Sequence, residues 1–291
     1  MKSYSQFFPK FLLIVAIIFY FLTNIAATAE DSWSFGKSKK LAKDIYSDNQ
    51  VTFYCGCDYQ TKGTKLIPDW DSCDYFPRNE YTKSGKVNSR SLRIEWEHVM
   101  PAWFFGSEMK CWKKGGRKAC KKDKQFEKME ADLHNLVPAI GEINGDRSNF
   151  AFANIEGEKR DYGECDFEIN FKDRVVEPRE AIKGDIARIY FYMSETYNVS
   201  LNQKLQEMLQ NWSTLDPVDQ KELERDSKIF RIQGNSNRFV ESEQIIKKGS
   251  IFEVAPLTST STKSGSSADV KASKVIEVKG YSKKSKFADD F

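Results

Sequence analysis

Histidine is scarce in this sequence, since His98 and His134 are the only two imidazoles among 291 residues. A catalytic zinc ion held by three histidines is therefore excluded. The six cysteines are the other soft ligands, and an exported chain would pair them in disulfides. Any metal that the protein binds should be held mainly by oxygen. That preference favours Mg²⁺, with Ca²⁺ or Mn²⁺ as alternatives.

The chain also lacks, beyond its N-terminal segment, an apolar run long enough to span a membrane. The N-terminal segment combines Lys2 and Lys10 with an apolar stretch, 11–22, and the small-residue site Ala27-Thr28-Ala29. This pattern predicts a secretory signal that is cleaved after Ala29. A membrane anchor is the alternative, but it needs about 20 apolar residues. We therefore expect a periplasmic or secreted protein without stable membrane insertion.

The cysteine content agrees with export. Six cysteines follow the predicted cleavage site: Cys55, Cys57, Cys73, Cys111, Cys120 and Cys165. In an oxidising compartment this even number predicts three disulfides. Cys111 and Cys120 form the most natural pair, because Gly115-Gly116 between them permits a hairpin-like turn. A structural zinc site on the first three cysteines is the alternative, although Cys-x-Cys is not the usual zinc spacing.

The small net charge of +3 conceals an uneven distribution. Residues 1–29 carry +2 and residues 247–291 carry +4, so that residues 30–246 carry −3. Within this acidic part, residues 110–124 contain one acid and eight bases, which are Lys110, Lys113, Lys114, Arg117, Lys118, Lys121, Lys122 and Lys124. Such a local positive field attracts a phosphate backbone. A solvated surface loop is the alternative interpretation.

Hydrophobic periodicity predicts an α+β fold whose C-terminal part is helical. Leu41 and Ile45 indicate a short N-terminal helix, whereas residues 51–110 have no helical period and are expected to form loops and short strands. Apolar stripes over 182–197 and 201–212 are spaced three and four residues apart, as in core-forming helices. A Ser/Thr-rich stretch begins after residue 256 and precedes a Lys-rich end, which predicts a linker and tail.

A strand is predicted to end at the first histidine. Apolar and charged residues alternate over 92–96, and the pattern leads directly into Glu97 and His98 before Pro101 ends it. An imidazole titrates near neutral pH and can accept a proton from water, while a carboxylate is a hard metal ligand. Adjacent strand residues point to opposite faces, so both serve one site only if the strand bends or its pairing ends there.

A second polar group of residues surrounds the other histidine. Residues 130–138 and 141–149 place acids, amides and glycines on both sides of an apolar stretch. The amide oxygen of Asn144 can coordinate a hard cation without adding charge. The alternative is that these are turn and capping residues, which Asn, Asp, Gly and Ser often are.

Together these segments resemble the endonuclease I family of bacterial periplasmic and secreted nucleases. The resemblance runs in the family's order from about residue 35 to 240 and is carried by Arg93–Trp103, Cys111–Lys118, Met129–Leu136, Gly141–Asn149 and, more loosely, Gln233–Phe239. It implies a mixed fold with a ββα-metal (His-Me finger) site. The predicted domains are a signal peptide (1–29), a nuclease domain (30–246) and the tail (247–291).

The resemblance also implies residue roles. His98 is the base that activates water, Glu97 and Asn144 are ligands of one divalent ion, and Arg117 holds the cleaved phosphate. Family members degrade DNA and RNA with little sequence preference. The supporting positions are Glu130, His134 and Asn135.

With these motifs nearby, the functional interpretation of the basic run is favoured, and Lys113, Lys114 and Lys118 are predicted to bind nucleic acid. The expected protein is a monomeric, metal-dependent endonuclease. A secreted phosphatase or phosphodiesterase could use the same ligand types, but it would act on small phosphate esters and would not need the lysines. A non-catalytic binding module is the third hypothesis, and it would leave nucleic acid intact in the presence of Mg²⁺.

Overall fold

A computed structural model of the protein describes residues 33–157 and 159–241. The predicted signal segment and the tail lie outside the described residues, so the domain boundaries remain predictions. Within the described ranges, no helix is both long enough and apolar enough to cross a bilayer.

Helices and short strands alternate along the described chain, which confirms the α+β prediction. The helices are α1 (Phe35–Ile45), α2 (Ala102–Gly106), α3 (Lys110–Cys120), α4 (Lys124–Ala131), α5 (Gly141–Arg147), α6 (Lys183–Tyr197), α7 (Gln203–Leu215) and α8 (Gln220–Gln233). The strands are β1 (Tyr59–Lys62), β2 (Lys65–Pro68), β3 (Ile94–His98), β4 (Leu136–Ile140), β5 (Ala151–Phe152), β6 (Phe167–Asn170) and β7 (Val175–Pro178).

The antiparallel pair β3–β4 lies at the centre of the fold. Ile94 is paired with Ile140 at one end and His98 with Leu136 at the other. All five residues of β4 are buried, as expected for an apolar strand covered on both faces. Helix α5 begins directly after β4 and packs against both strands, so β3, β4 and α5 pack together as a ββα unit, with α2, α3 and α4 inserted between the two strands.

The predicted strand is confirmed, but it begins two residues later than the alternation suggested. Leu92 lies outside β3 and is 47 % exposed. The prediction that residues 51–110 lack helix is wrong at α2. Pro101 ends the strand and also stands immediately before this helix with φ −59°, a value suited to a helix start. The short helix then buries Phe105 against Phe126, with ring centroids 5.6 Å apart.

Helix α1 is confirmed and is attached to the centre of the fold by a small apolar cluster. Ala42 and Ile45 pack with Leu133, Leu136 and Ile229. The Ser34 hydroxyl accepts a hydrogen bond from Lys37 N and thereby caps the helix start. The first turn of α1 is held by Ser38 Oγ, which donates to Ala131 O, and its Phe35 ring packs on His98 at the end of β3.

Three disulfides are present, so all six cysteines of the sequence are paired. The predicted Cys111–Cys120 bond is confirmed, and the other two bonds join Cys55 to Cys165 and Cys57 to Cys73. The zinc alternative is therefore wrong, because no sulfur remains as a thiolate ligand. The turn predicted at Gly115-Gly116 is confirmed, because the chain reverses there and brings the Cα atoms of Cys111 and Cys120 to 4.9 Å, although helical turns and not strands flank it. Helix α3 fills this interval and breaks at Gly115-Gly116, where Gly116 has a left-handed φ of 63°.

The C-terminal helices carry the two predicted apolar stripes, and α6 packs against α7. Ile186, Met193, Leu209 and Trp212 are all buried in the main core. Both predicted helices are thus confirmed. They share the main apolar core with residues of β3, β4 and α5.

A buried ion pair joins α6 to α8, and we predict that breaking it destabilises the fold. The Arg188 and Glu222 side chains are 2 % and 3 % exposed, and Arg188 Nη2 lies 2.7 Å from Glu222 Oε2. Arg188→Ala would leave a buried carboxylate without its partner, which should lower the free energy of unfolding by about 3–5 kcal/mol. Urea unfolding with the disulfides intact measures this. The matched control is Arg238→Ala, whose ion pair with Glu195 is exposed and should contribute far less; equal losses would contradict the prediction.

Candidate active site

The end of β3 carries the two residues on which the predicted site is centred. His98 is the last residue of the strand, and Val99 N already donates to Asn135 O, at 3.1 Å, beyond the last strand pair. As strand geometry requires, Glu97 and His98 make their contacts on different sides. Helix α5 lies on the glutamate side, and the end of α4 lies on the histidine side.

His98 is held in a single orientation by a backbone carbonyl. Its Nε2 lies 2.7 Å from the carbonyl oxygen of Glu130. Because a carbonyl oxygen can only accept, Nε2 must carry the proton, and in a neutral imidazole Nδ1 then has the free lone pair. The geometry therefore presents Nδ1 as a base.

The surroundings of His98 keep the ring neutral. The residue is 6 % exposed, and the Phe35 ring from α1 packs on it with centroids 4.8 Å apart. The pKa of His98 is lowered to about 3, mainly by burial and then by the charges of Arg117 and Arg147, while the hydrogen bond to the Glu130 carbonyl opposes the shift. The imidazole is thus neutral near pH 7.

Glu130 connects His98 to Arg117. Its backbone accepts from the imidazole, and its side-chain Oε1 accepts from Arg117 Nε at 2.6 Å. The guanidinium also lies over Phe35, 5.6 Å from the ring centroid, and the side chain is 30 % exposed. The structure therefore brings together His98, Arg117 and Glu130, as the sequence interpretation requires, and adds Phe35, which that interpretation missed.

Glu97 lies on the other side of the strand, where it is almost fully buried. Tyr54 Oη donates to its Oε1 at 3.0 Å, and Arg147 Nη1 donates to the same oxygen at 2.9 Å. Burial raises the pKa of Glu97, an effect that the Arg147 charge and the Tyr54 hydrogen bond oppose. Both donors reach Oε1, so the carboxylate is fixed through one of its two oxygens.

Arg147 is a site residue that the sequence interpretation did not single out. It is fully buried on α5, and besides Glu97 it donates to the carbonyl oxygens of His98, at 3.0 Å, and Val99, at 2.6 Å. Its position three residues after Asn144 is the available signal, since residues three apart share a helix face. The side chain ties α5 to the end of β3.

Asn144 faces β3 from the same helix. Its Nδ2 donates to Glu95 Oε2 at 3.2 Å, and Glu95 shares a strand face with Glu97. The ligand groups available to a cation on this side are therefore the Glu97 carboxylate and the Asn144 amide oxygen, both hard ligands. Within the described ranges, no three His, Cys, Asp or Glu side chains converge as a metal cluster. A cation that keeps several waters, as Mg²⁺ does, suits so small a donor set.

Asn135 supports the segment that follows His98. Its Oδ1 accepts from Met100 N at 2.7 Å, and its Nδ2 donates to Met100 O at 2.9 Å. A side-chain amide that pairs both backbone groups of one residue fixes the chain direction there. Asn135 thus acts on the site through the backbone.

His134 belongs to a different polar cluster. It is fully buried, with Nε2 3.0 Å from Asn235 O and its ring 4.4 Å from that of Tyr192. Its Nδ1 faces Asp226 of α8 at 3.6 Å. These contacts connect the turn before β4 to the C-terminal helices, so His134 lies in a separate cluster from His98, and its supporting role stays a prediction.

The three lysines predicted to bind nucleic acid are all exposed on α3. Lys113 Nζ lies 2.8 Å from the exposed Glu108, while Lys118 follows directly after Arg117. The Cys111–Cys120 bond joins the two ends of α3. A cationic surface therefore adjoins the guanidinium of Arg117, which is bonded to Glu130.

Sequence comparison relates the chain to known nucleases. The Endonuclease I family matches residues 35–244. An extracellular deoxyribonuclease of Aeromonas hydrophila is 42 % identical over 231 residues, covering 79 % of this chain and 97 % of the relative. A periplasmic deoxyribonuclease of the same organism is 41 % identical over 239 residues, covering 81 % and 98 %. Endonuclease-1 of Buchnera aphidicola subsp. Acyrthosiphon pisum is 47 % identical over 207 residues, covering 71 % and 80 %.

We predict that NMR of the metal-free protein will find His98 as the neutral Nε2–H tautomer. Long-range ¹H–¹⁵N spectra distinguish the two ring nitrogens, and a His98→Gln variant assigns the signals, since the sequence has two histidines. The ring should stay neutral as the pH falls below 6.5, because its folded-state pKa is about 3. An Nδ1–H tautomer, or protonation near pH 6.5, would contradict the geometry.

The same titration has a consequence for stability. An unfolded imidazole titrates near pH 6.5. Between that pH and the lower folded-state pKa, the unfolded protein binds more protons than the folded protein, so acid favours unfolding. The stability contributed by neutral His98 is therefore complete above about pH 6.5 and declines as the pH falls toward 3. Thermal unfolding over this range should show a weaker acid dependence in His98→Gln than in the parent protein.

Proposed function

This chain belongs to the endonuclease I family, and we propose that it is a periplasmic or secreted, metal-dependent endonuclease that hydrolyses DNA and RNA with little sequence preference. One observation carries the proposal. The carbonyl of Glu130 fixes the Nε2–H of the buried His98, while the side chain of the same residue holds Arg117. A base and an anion-binding group are thus set side by side by one residue.

The base acts on water. His98 Nδ1 accepts a proton from a water molecule as that water attacks phosphorus, and Nε2–H remains bonded to the Glu130 carbonyl throughout. The imidazolium that forms is buried beside Arg117, a cation that disfavours it. The negative phosphate of the substrate offsets this cost when it lies between the two side chains.

Arg117 binds the phosphate. Glu130 holds the guanidinium through Nε, and the terminal nitrogens are the donors best placed for two phosphate oxygens. Charge that develops on those oxygens in the transition state is stabilised by a cation already in position. Phe35 packs against the guanidinium and limits its motion.

Glu97 and Asn144 would hold one divalent cation, which we take to be Mg²⁺, through oxygen atoms. With Glu97 Oε1 engaged by Tyr54 and Arg147, we assign Oε2 and Asn144 Oδ1 as the ligand atoms. When bound, such an ion polarises the phosphate and stabilises the leaving oxygen. The buried hydrogen bonds of Glu97 restrict rotation of its carboxylate and so keep Oε2 in one position.

Low sequence selectivity follows from the nature of these contacts. Arg117 and the lysines of α3 address phosphates, and phosphate contacts carry no base information. The exposed lysines also extend the cationic surface beyond what a small phosphate ester could touch, which favours a polymeric substrate over the phosphatase alternative.

All the proposed residues lie in one chain, so a monomer suffices. We further propose that residues 1–29 are removed on export and that 30–246 form the nuclease domain.

We predict that His98→Ala folds and binds metal but cleaves about 10²–10⁴-fold more slowly, the usual loss when a general base is removed. Plasmid DNA and a structured RNA are incubated with Mg²⁺, with and without EDTA, and the initial rates are compared with those of the parent protein. EDTA should abolish cleavage by the parent. Circular dichroism and Mg²⁺ calorimetry confirm that the variant is folded and loaded. Near-normal cleavage by such a variant would mean that another group is the base.

We also predict that the lysines of α3 act in binding. Replacing Lys113, Lys114 and Lys118 by Ala removes up to three phosphate contacts, each of which contributes roughly −0.9 to the slope of log K against log salt. The slope for DNA binding, measured on a His98→Ala background, should therefore flatten by up to about 2–3 units. KM should rise more than kcat falls, because the contacts exist before and during the transition state.

The matched control for this variant removes the same charge elsewhere. Lys62, Lys204 and Lys221 are exposed on β1, α7 and α8, and their replacement by Ala should leave the slope nearly unchanged. Equal flattening in both triple variants would show that the salt dependence reflects the net charge of the protein and not phosphate contacts made by α3. Arg117→Ala should instead lower kcat, since its guanidinium addresses the reacting phosphate.

A further inference from the structure

Glu95 is a charged residue beside the proposed metal site whose role the mechanism above leaves open. Two guanidinium groups hold its carboxylate. Arg90 approaches with Nη2 2.5 Å from Oε2 and Nε 3.2 Å from Oε1. Arg93 approaches with Nη2 2.6 Å and Nε 2.8 Å from Oε1. Contacts from two arginines fix both the position and the rotation of the carboxylate.

Helix α5 is shaped to admit this cluster. A Cβ at Gly141 would lie 2.9 Å from Glu95 Oε1 and 2.6 Å from the carbonyl oxygen of Arg90. A Cβ at Gly145 would lie 2.3 Å from Arg90 Nη1. The two glycines are one helical turn apart on α5, with Asn144 between them. A larger residue at either position would push Glu95 or Arg90 away from the helix.

The third feature is the direct contact between the cluster and the proposed ligand. Asn144 places its amide 3.2 Å from Glu95 Oε2. The two ends of an asparagine amide are nearly isosteric, so chemistry decides which end faces a neighbour. A carboxylate paired with two guanidinium groups accepts hydrogen bonds and does not donate them. The NH₂ end must therefore face Glu95, and Oδ1 is the end that remains for a cation.

We propose that Glu95 is a positioning residue for the metal site, which orients the Asn144 amide so that Oδ1 is presented to the divalent ion. The inference rests on the proposed function in one respect, namely that Asn144 is a metal ligand. Glu95 acts through Asn144 and is not itself a ligand, because its oxygens are engaged by arginines and the cluster of Glu95, Arg90 and Arg93 carries a net positive charge. Without Glu95 the amide loses the partner that selects one of its two orientations.

The test is a double-mutant cycle on metal binding. Mn²⁺ or Mg²⁺ affinity is measured by calorimetry for the parent protein, Glu95→Ala, Asn144→Ala and the double variant, without nucleic acid. Loss of a residue that orients a metal ligand typically weakens binding about 10–100-fold. We expect Glu95→Ala to weaken binding about 10-fold in the parent and to have almost no further effect when Asn144 is already absent. Equal weakening in both backgrounds would show that Glu95 acts on the cation directly and would overturn the inference.

Two further variants sharpen the test. Asp146→Ala removes another arginine-paired carboxylate from α5, one that contacts Arg78 and Tyr162, and it should leave metal affinity nearly unchanged. If thermal unfolding shows that Glu95→Ala is not folded, the cycle is run with Glu95→Gln. Its neutral amide still accepts a hydrogen bond but can rotate, so the weakening should be smaller and again absent without Asn144.

The outcomes separate this inference from the proposed function. Unchanged affinity in Asn144→Ala alone would contradict the metal assignment. Weakened affinity in Asn144→Ala together with unchanged affinity in folded Glu95→Ala would contradict the positioning role while leaving that assignment intact.

Discussion

The buried guanidinium of Arg147 is the contact on which the rest of the site depends. It joins helix α5 to the end of β3 through the Glu97 carboxylate and the carbonyl oxygens of His98 and Val99. A buried charge is stabilised by acceptors that match its donors, and the two terminal nitrogens of Arg147 have them, whereas its buried Nε has no hydrogen-bond partner among the described residues. The bonds of the terminal nitrogens leave the strand end little freedom to shift. Asn135 binds the backbone of the next residue, and the segment with both proposed chemical groups is fixed from two sides.

Adjacent strand residues point in opposite directions, so Glu97 and His98 can serve one site only at the end of the strand. Glu97 meets α5 on one side, and His98 meets the Glu130 carbonyl on the other. We infer that one phosphate reaches both side chains only at the edge where β3 stops pairing. Pairing ends at His98, because the chain turns into Pro101 and α2. The proline that predicts the strand end in the sequence therefore stands between β3 and α2.

Features with a local origin were predicted from the sequence, and those that depend on distant parts of the chain were not. Strand β3, the stripes of α6 and α7 and the Cys111–Cys120 bond arise from periodicity or short spacing. The Cys55–Cys165 bond spans 110 residues, and no local pattern favours it over other pairings. Tyr54 and Arg147 likewise converge on Glu97 from opposite directions along the chain. The likeness in motifs suggested which side chains matter, whereas the structure supplies what holds them.

The charges around His98 affect whether its imidazole is protonated in the free protein and how that changes when a phosphate is bound. Residues 30–246 carry a net charge of −3, yet the charges that lower the pKa of His98, after burial itself, are those of the cations Arg117, Arg147 and Lys39. A cation beside a buried imidazole favours the neutral form, which is the form that accepts a proton. When a phosphate lies against Arg117, its negative charge compensates that cation and the imidazolium becomes less unfavourable. If Arg117 holds the phosphate as proposed, the pKa of His98 is expected to rise when a phosphodiester is bound, because one of the charges that lower it is then compensated, while burial of the ring, the largest cause, remains.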